Sequence, residues 1–149
     1  MVTGFDSMGR LDNKKNKIRR ERMNGFLKPE EIDEILNGNS ALLVEKAECV
    51  GKAIAKPVSS SQVRAIFGTI KKLQMSAQKG EFGEKQIGTL TLLIPKLYYA
   101  AKRSGKKEME KLRDDLSTMI RKVKDKERFI CLCNYLEAIL AYHKAFGGK

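Results

Sequence analysis

The chain has 149 residues, a formal net charge of +12 from 30 Lys and Arg against 18 Asp and Glu, and 42% hydrophobic residues. That length and apolar content suit one domain with a real core and exclude a wholly disordered chain. Positive charge that repels itself points to a polyanionic partner, with nucleic acid ahead of an acidic protein or a membrane surface.

The charge is unevenly spread. Residues 1–28 hold eight Lys or Arg against three acids, residues 29–56 hold three bases against six acids, and residues 57–149 hold nineteen against nine. Residues 1–27 lack sustained apolar periodicity and read as a basic, flexible arm, free to order on a partner, ahead of one domain over 28–149. The arm has no apolar stretch of the kind a signal peptide carries.

Pro29 suits a first helical position, with Glu30, Glu31 and Asp33 placed where the helix dipole favours acids, and Asn37-Gly38 forms a stop. Ser40 offers a cap for a second helix carrying Leu43, Ala47, Val50 and Ile54, which Pro57 ends. Ser59 and Gln62 then have capping-box spacing, ahead of a stripe of Val63, Ile66, Phe67, Ile70 and Leu73. Arg64, Lys71, Lys72 and Lys79 fall within roughly 100° of one another, largely away from that stripe.

A fourth helix spans Lys85 to Ser104, with Ile87, Leu90, Ile94, Leu97, Tyr98 and Ala101 on its apolar side and Gly105 as its stop. Pro95 lies inside it and predicts a kink, since proline lacks a donor and crowds the carbonyl of residue 91. Lys96, Tyr99 and Arg103 cluster on the other side, with Lys102 flanking and Lys106 following. A fifth helix uses Met109, Leu112, Leu116, Met119, Ile120 and Val123, and a sixth uses Phe129, Ile130, Leu132, Cys133, Leu136, Ile139 and Leu140. No stretch alternates with period two, so the fold is all-α: a compact bundle of about five to six helices.

Catalytic chemistry finds little support. The chain has one histidine, His143, and three cysteines, Cys49, Cys131 and Cys133, an odd number that favours reduced thiols in the cytoplasm. On a helix Cys131 and Cys133 point roughly 200° apart, so they cannot share one ion, and they read as two buried hydrophobes. The neighbouring carboxylates Asp114-Asp115 and Glu30-Glu31 belong to solvated faces or first turns, and no Gly-rich stretch has P-loop spacing. The reading is of a protein that is not an enzyme, without metal or cofactor. The longest near-apolar run, Leu90 to Ala101, contains Lys96 and is far short of the roughly 20 residues a bilayer crossing needs.

Taken in order, SSSQVRAIF, LLIPKLYYAAKR and FICLCNYLEAILAYHKAFGGK resemble the small subunit of the Csm effector complex of type III-A CRISPR systems. The resemblance covers roughly Pro57 to Lys149; the first 56 residues match no recognised pattern. It implies a non-catalytic, helical, RNA-binding protein, several copies of which stack along guide RNA and target RNA beside the backbone and large subunits. Nuclease and cyclase activities would belong to those other subunits. Gln62 and Arg64 match a Ser-Gln-hydrophobic-Arg motif, Lys96 the lysine after the helix proline, and Arg103 the arginine closing the Tyr-Ala-Ala segment. Lys102 stands where the family pattern has glycine. The candidate RNA-contacting set is therefore Gln62, Arg64, Lys71, Lys72, Lys96, Tyr99, Lys102, Arg103 and Lys106, acting on phosphate and sugar rather than on bases. A helical DNA-binding protein and a homo-oligomeric structural protein, as a homodimer or a side-by-side stack, are the competing readings.

Overall fold

A computed structural model describes residues 25–149. Among them the chain forms seven helices and no strand: α1 (Pro29–Leu36), α2 (Ser40–Ile54), α3 (Ser60–Gln78), α4 (Glu84–Thr91), α5 (Leu93–Ser104), α6 (Lys107–Lys122) and α7 (Lys126–Ala145). The all-α bundle matches the sequence expectation. It has one helix more because the segment 85–104 is two helices rather than one.

Local chemistry sets most of the boundaries. Pro29 opens α1, and Glu31 Oε1 accepts the Lys28 N–H at 2.9 Å. The cap of α2 is Asn39 rather than Ser40: its Oδ1 accepts the Leu42 N–H at 3.0 Å, and Ser40 becomes the first helical residue. Asparagine and serine cap about equally well, so spacing alone could not choose between them. Asp125 caps α7 by accepting the Arg128 N–H at 2.9 Å.

The core organises around α7, which packs against α1, α2, α3 and α6, most extensively against α2. Phe129, Leu132, Cys133, Tyr135, Leu136, Ile139 and His143 are its buried residues. Ile130, expected in that stripe, is exposed, and Leu140 is only partly covered. The contact with α2 is close because Ala47, Gly51 and Ala55 recur every four residues on the facing side. A β-carbon on Gly51 would lie 2.5 Å from Cβ of Tyr142 and 3.1 Å from the His143 amide nitrogen, so only glycine fits. His143 is fully buried and donates its Nε2–H to the Val58 carbonyl at 2.7 Å, tying α7 to the α2–α3 junction. Phe82, from the α3–α4 turn, stacks on Phe129 with centroids 4.7 Å apart.

One carboxylate overturns its sequence reading. Asp115 does not belong to a solvated face; it is 2% exposed. Its oxygens accept the backbone N–H groups of Phe26 at 2.9 Å and Leu27 at 3.2 Å. The helical angle of Asp115 lies next to the Leu112–Leu116 stripe, and a polar residue there reads as surface until a donor-bearing segment is seen to cover it. Leu27 is itself in the core, so packing reaches into the stretch assigned to the arm. Residues 1–24, the rest of that arm, lie outside the described residues. Gly25 is required beside this contact, because a β-carbon there would run into the Asp115 carboxylate.

Burial pushes the Asp115 carboxyl up to about 7, against the pull of the two backbone donors. A carboxyl whose folded pKa lies above its unfolded value of 3.8 binds its proton more tightly in the folded state. Its contribution to stability is therefore full below about pH 4 and lost progressively as pH rises to about 7, by on the order of 2–4 kcal/mol. Urea unfolding across that range should show this decline, and Asp115→Asn, which cannot ionise, should remove it. A wild-type slope that survives in the variant would show that another group is responsible.

Candidate nucleic-acid interface

The predicted capping box starts α3 where expected: Ser59 Oγ accepts the Gln62 N–H at 3.2 Å, and Gln62 Oε1 accepts the Ser59 N–H at 3.0 Å. All five stripe residues, Val63, Ile66, Phe67, Ile70 and Leu73, are buried. That fixes the helix rotation and turns Arg64, Lys71 and Lys72 to solvent. Gln62 differs from the other candidates, since it is half-buried and its side-chain carbonyl is committed to the cap.

Two hollows flank the start of α3. One, of about 440 Å³, runs between α3 and α7 and is lined by Arg64, Phe67, Lys71, Glu137, Leu140 and Lys144, together with Ala141. The other, of about 460 Å³, lies at the α2–α3 junction, with Lys56, Ser59, Gln62 and Lys149 on its walls. Lys56, Lys144 and Glu137 were not singled out from sequence. Glu137, Leu140 and Lys144 do share one side of α7 by three- and four-residue spacing, but only tertiary packing sets that side opposite Arg64 and Lys71. Lys71 Nζ lies 3.4 Å from Glu137 Oε1, with both side chains about half exposed.

The second cationic set is on α5. The expected kink takes the form of a one-residue interruption at Leu92, whose φ and ψ of −67° and −11° stay in the right-handed helical region, with α5 following from Leu93. Proline explains the displacement. It cannot donate to the carbonyl of Thr91 and its ring crowds that carbonyl, so the chain restarts just upstream, leaving Pro95 in a first turn where no donor is missed. Leu93, Ile94, Leu97 and Ala101 anchor α5, while Lys96, Tyr99, Lys102, Arg103 and Lys106 are exposed. Tyr98 was placed among the anchors but is half exposed, with the Arg113 guanidinium 4.6 Å from its ring centroid. Lys102 and Arg103 also complement the negative end of the helix dipole before Gly105, at φ 68°. The α3 and α5 sets each point away from a buried stripe.

A family model, Csm2 Type III-A, matches residues 37–149. The chain belongs to the Csm2 family. The match starts upstream of Pro57 and so takes in α2, correcting the view that nothing before residue 57 is recognisable. It places the chain among the small subunits of type III-A Csm complexes. A curated Csm2-family relative, the CRISPR system Cms protein Csm2 of Streptococcus thermophilus, is 26% identical over 92 residues, which cover 62% of this chain and 75% of that protein. No solved structure gives a significant match.

One thiol of this Csm2-family chain, Cys133, lies within electrostatic reach of Lys71 and Glu137. Cys133 is buried, and burial pushes its thiol up to about 12, which holds it protonated at neutral pH. Cys131 is only partly covered and Cys49 is exposed, so the expected pair of buried thiols is one. Among the described residues no three His, Cys, Asp or Glu side chains group as metal ligands, and no helix is long and apolar enough to cross a membrane.

The position of Pro95 has a measurable consequence. A proline in a helix interior costs about 3 kcal/mol, so replacing it there would stabilise the protein. In a first turn it is preorganised, and Pro95→Ala should change stability by less than about 1 kcal/mol, in the destabilising direction. Chemical denaturation distinguishes the two, and a large stabilisation would contradict the interruption at Leu92.

Proposed function

We propose that this Csm2-family chain is a non-catalytic, RNA-binding subunit of a type III-A effector complex. In this reading the exposed cations of α3 and α5 lie along the sugar–phosphate backbone of guide RNA and target RNA. One observation carries it. Ion pairs among the described residues take up Lys46, Lys71, Arg113, Lys122 and Arg128, whereas Arg64, Lys72, Lys96, Lys102, Arg103 and Lys106 are exposed with no acidic partner there. Uncompensated charge on two outward helix faces suits a polyanion that is gripped by its backbone. Sequence choice then belongs to guide–target pairing. The named Streptococcus thermophilus relative, a CRISPR system protein, supports the setting.

Within such a complex the chain contacts the backbone and large subunits and neighbouring copies of itself, in the cytoplasm, where its thiols stay reduced. Leu92, just ahead of α5, and Tyr99, on it, are each 69% exposed, with the exposed Lys96 and Arg103 on the same helix. They supply apolar area for a neighbouring protein, which favours self-association as a companion role. A duplex-DNA reader is less well supported, because Gln62, the polar residue its recognition helix would offer, is committed to the helix cap.

Arg64→Ala and Arg103→Ala should each weaken binding to unstructured RNA alike for all sequences and lower the slope of log affinity against log salt by about 1. Fluorescence anisotropy over a salt series, with duplex DNA as competitor, measures both. Salt-independent affinity, or a clear preference for the duplex, would sink the proposal.

A further inference from the structure

We propose that the groove between α3 and α7 is itself a segment of the RNA path, and that Glu137 limits how tightly it holds the strand. This rests on the RNA-binding function above and adds a location and a tuning residue to it. Arg64 and Lys71 rise from one wall and Lys144 from the other, over a floor that includes Phe67 and Leu140. A phosphodiester chain lying there receives donors from two helices, whereas Lys96, Lys102 and Arg103 all stand on α5 alone. The volume of about 440 Å³ falls within the range of about 300–1,000 Å³ usual for small-ligand sites, room for a nucleotide-sized unit. The charge of the lining favours an anion, since three cations face one carboxylate.

That carboxylate competes directly with the ligand. Glu137 holds Lys71 at 3.4 Å, and with both groups about half exposed the pair adds little to stability. The α3–α7 contact already has Phe67, Leu136 and Ile139 in the core, so it does not depend on this pair. A phosphate arriving at Lys71 draws the ammonium away from Glu137 and leaves that carboxylate unpaired beside a second negative charge. Glu137 therefore opposes binding twice, by occupying Lys71 and by repelling the strand. Its effect is to keep the grip weak, so that base pairing with the guide decides which RNA stays.

The test uses the full chain and a labelled unstructured RNA, titrated over a salt series, with thermal melts to show that each variant is folded. Glu137→Gln should bind about threefold more tightly at low salt and steepen the salt slope by about 1. Lys144→Ala should weaken binding and flatten the slope by about 1. Glu127→Gln removes the same charge ten residues away on α7, about 15 Å along its axis, and should behave like wild type. Equal tightening in both glutamine variants would make the effect one of net charge and overturn the groove. The proposal also fails if Glu137→Gln and Lys144→Ala bind RNA like wild type while Arg103→Ala weakens it, and the wider RNA-binding reading then stands. If Arg64→Ala and Arg103→Ala are silent too, that wider reading falls with it. A groove whose variants change binding of poly-glutamate but not of RNA would belong to an acidic protein partner instead.

Discussion

The close crossing of α2 and α7 is the contact on which the rest of this molecule depends. Gly51, flanked by Ala47 and Ala55, removes the side-chain bulk that would hold the two helices apart. The buried face of α7 can then serve α1, α2, α3 and α6 together. From that crossing the His143 hydrogen bond reaches Val58 at the α2–α3 junction and fixes where α3 begins. The α3–α7 groove and the outward direction of Arg64 follow from this placement. Tight interiors transmit such constraints because they have little free volume to absorb a shift.

The buried Asp115 shows a different kind of constraint. Its two backbone bonds to Phe26 and Leu27 hold the chain on α6 just before it enters α1. Burying a carboxyl works against stability near neutrality, and the return is a fixed path for the segment that carries Phe26 and Leu27 into α1. The core accommodates polar atoms here, while its thiol Cys133 is kept inert by the same desolvation that raises Asp115.

In the proposed reading the cationic faces put function on the surface, and the core supplies stability. Each face lies opposite an apolar stripe, so rotating a helix to bury its stripe also exposes its cations. RNA binding of this kind requires no rare side-chain geometry, only charge left without partners on helices held rigid from behind. The pairing of Lys71 with Glu137 is the exception, and it lies where the surface folds into a groove rather than bulging outward.

The linear pattern by itself determined the helical class, the capping box at Ser59 and Gln62, and nearly every buried apolar position of α3 and α6. These depend on residues three and four apart along the chain. It could not place Asp115, Tyr98 or Ile130, because each sits at the margin of its stripe, where a neighbouring helix or segment decides whether it is covered. It also put the consequence of Pro95 at the proline, when the chain relieves the clash by an interruption at Leu92. Glu137 and Lys144 acquire meaning only opposite Arg64 and Lys71, on a helix more than sixty residues away in the chain. Helical period is a local property legible in one dimension, whereas the groove and the buried carboxylate are relations between distant segments that only packing creates.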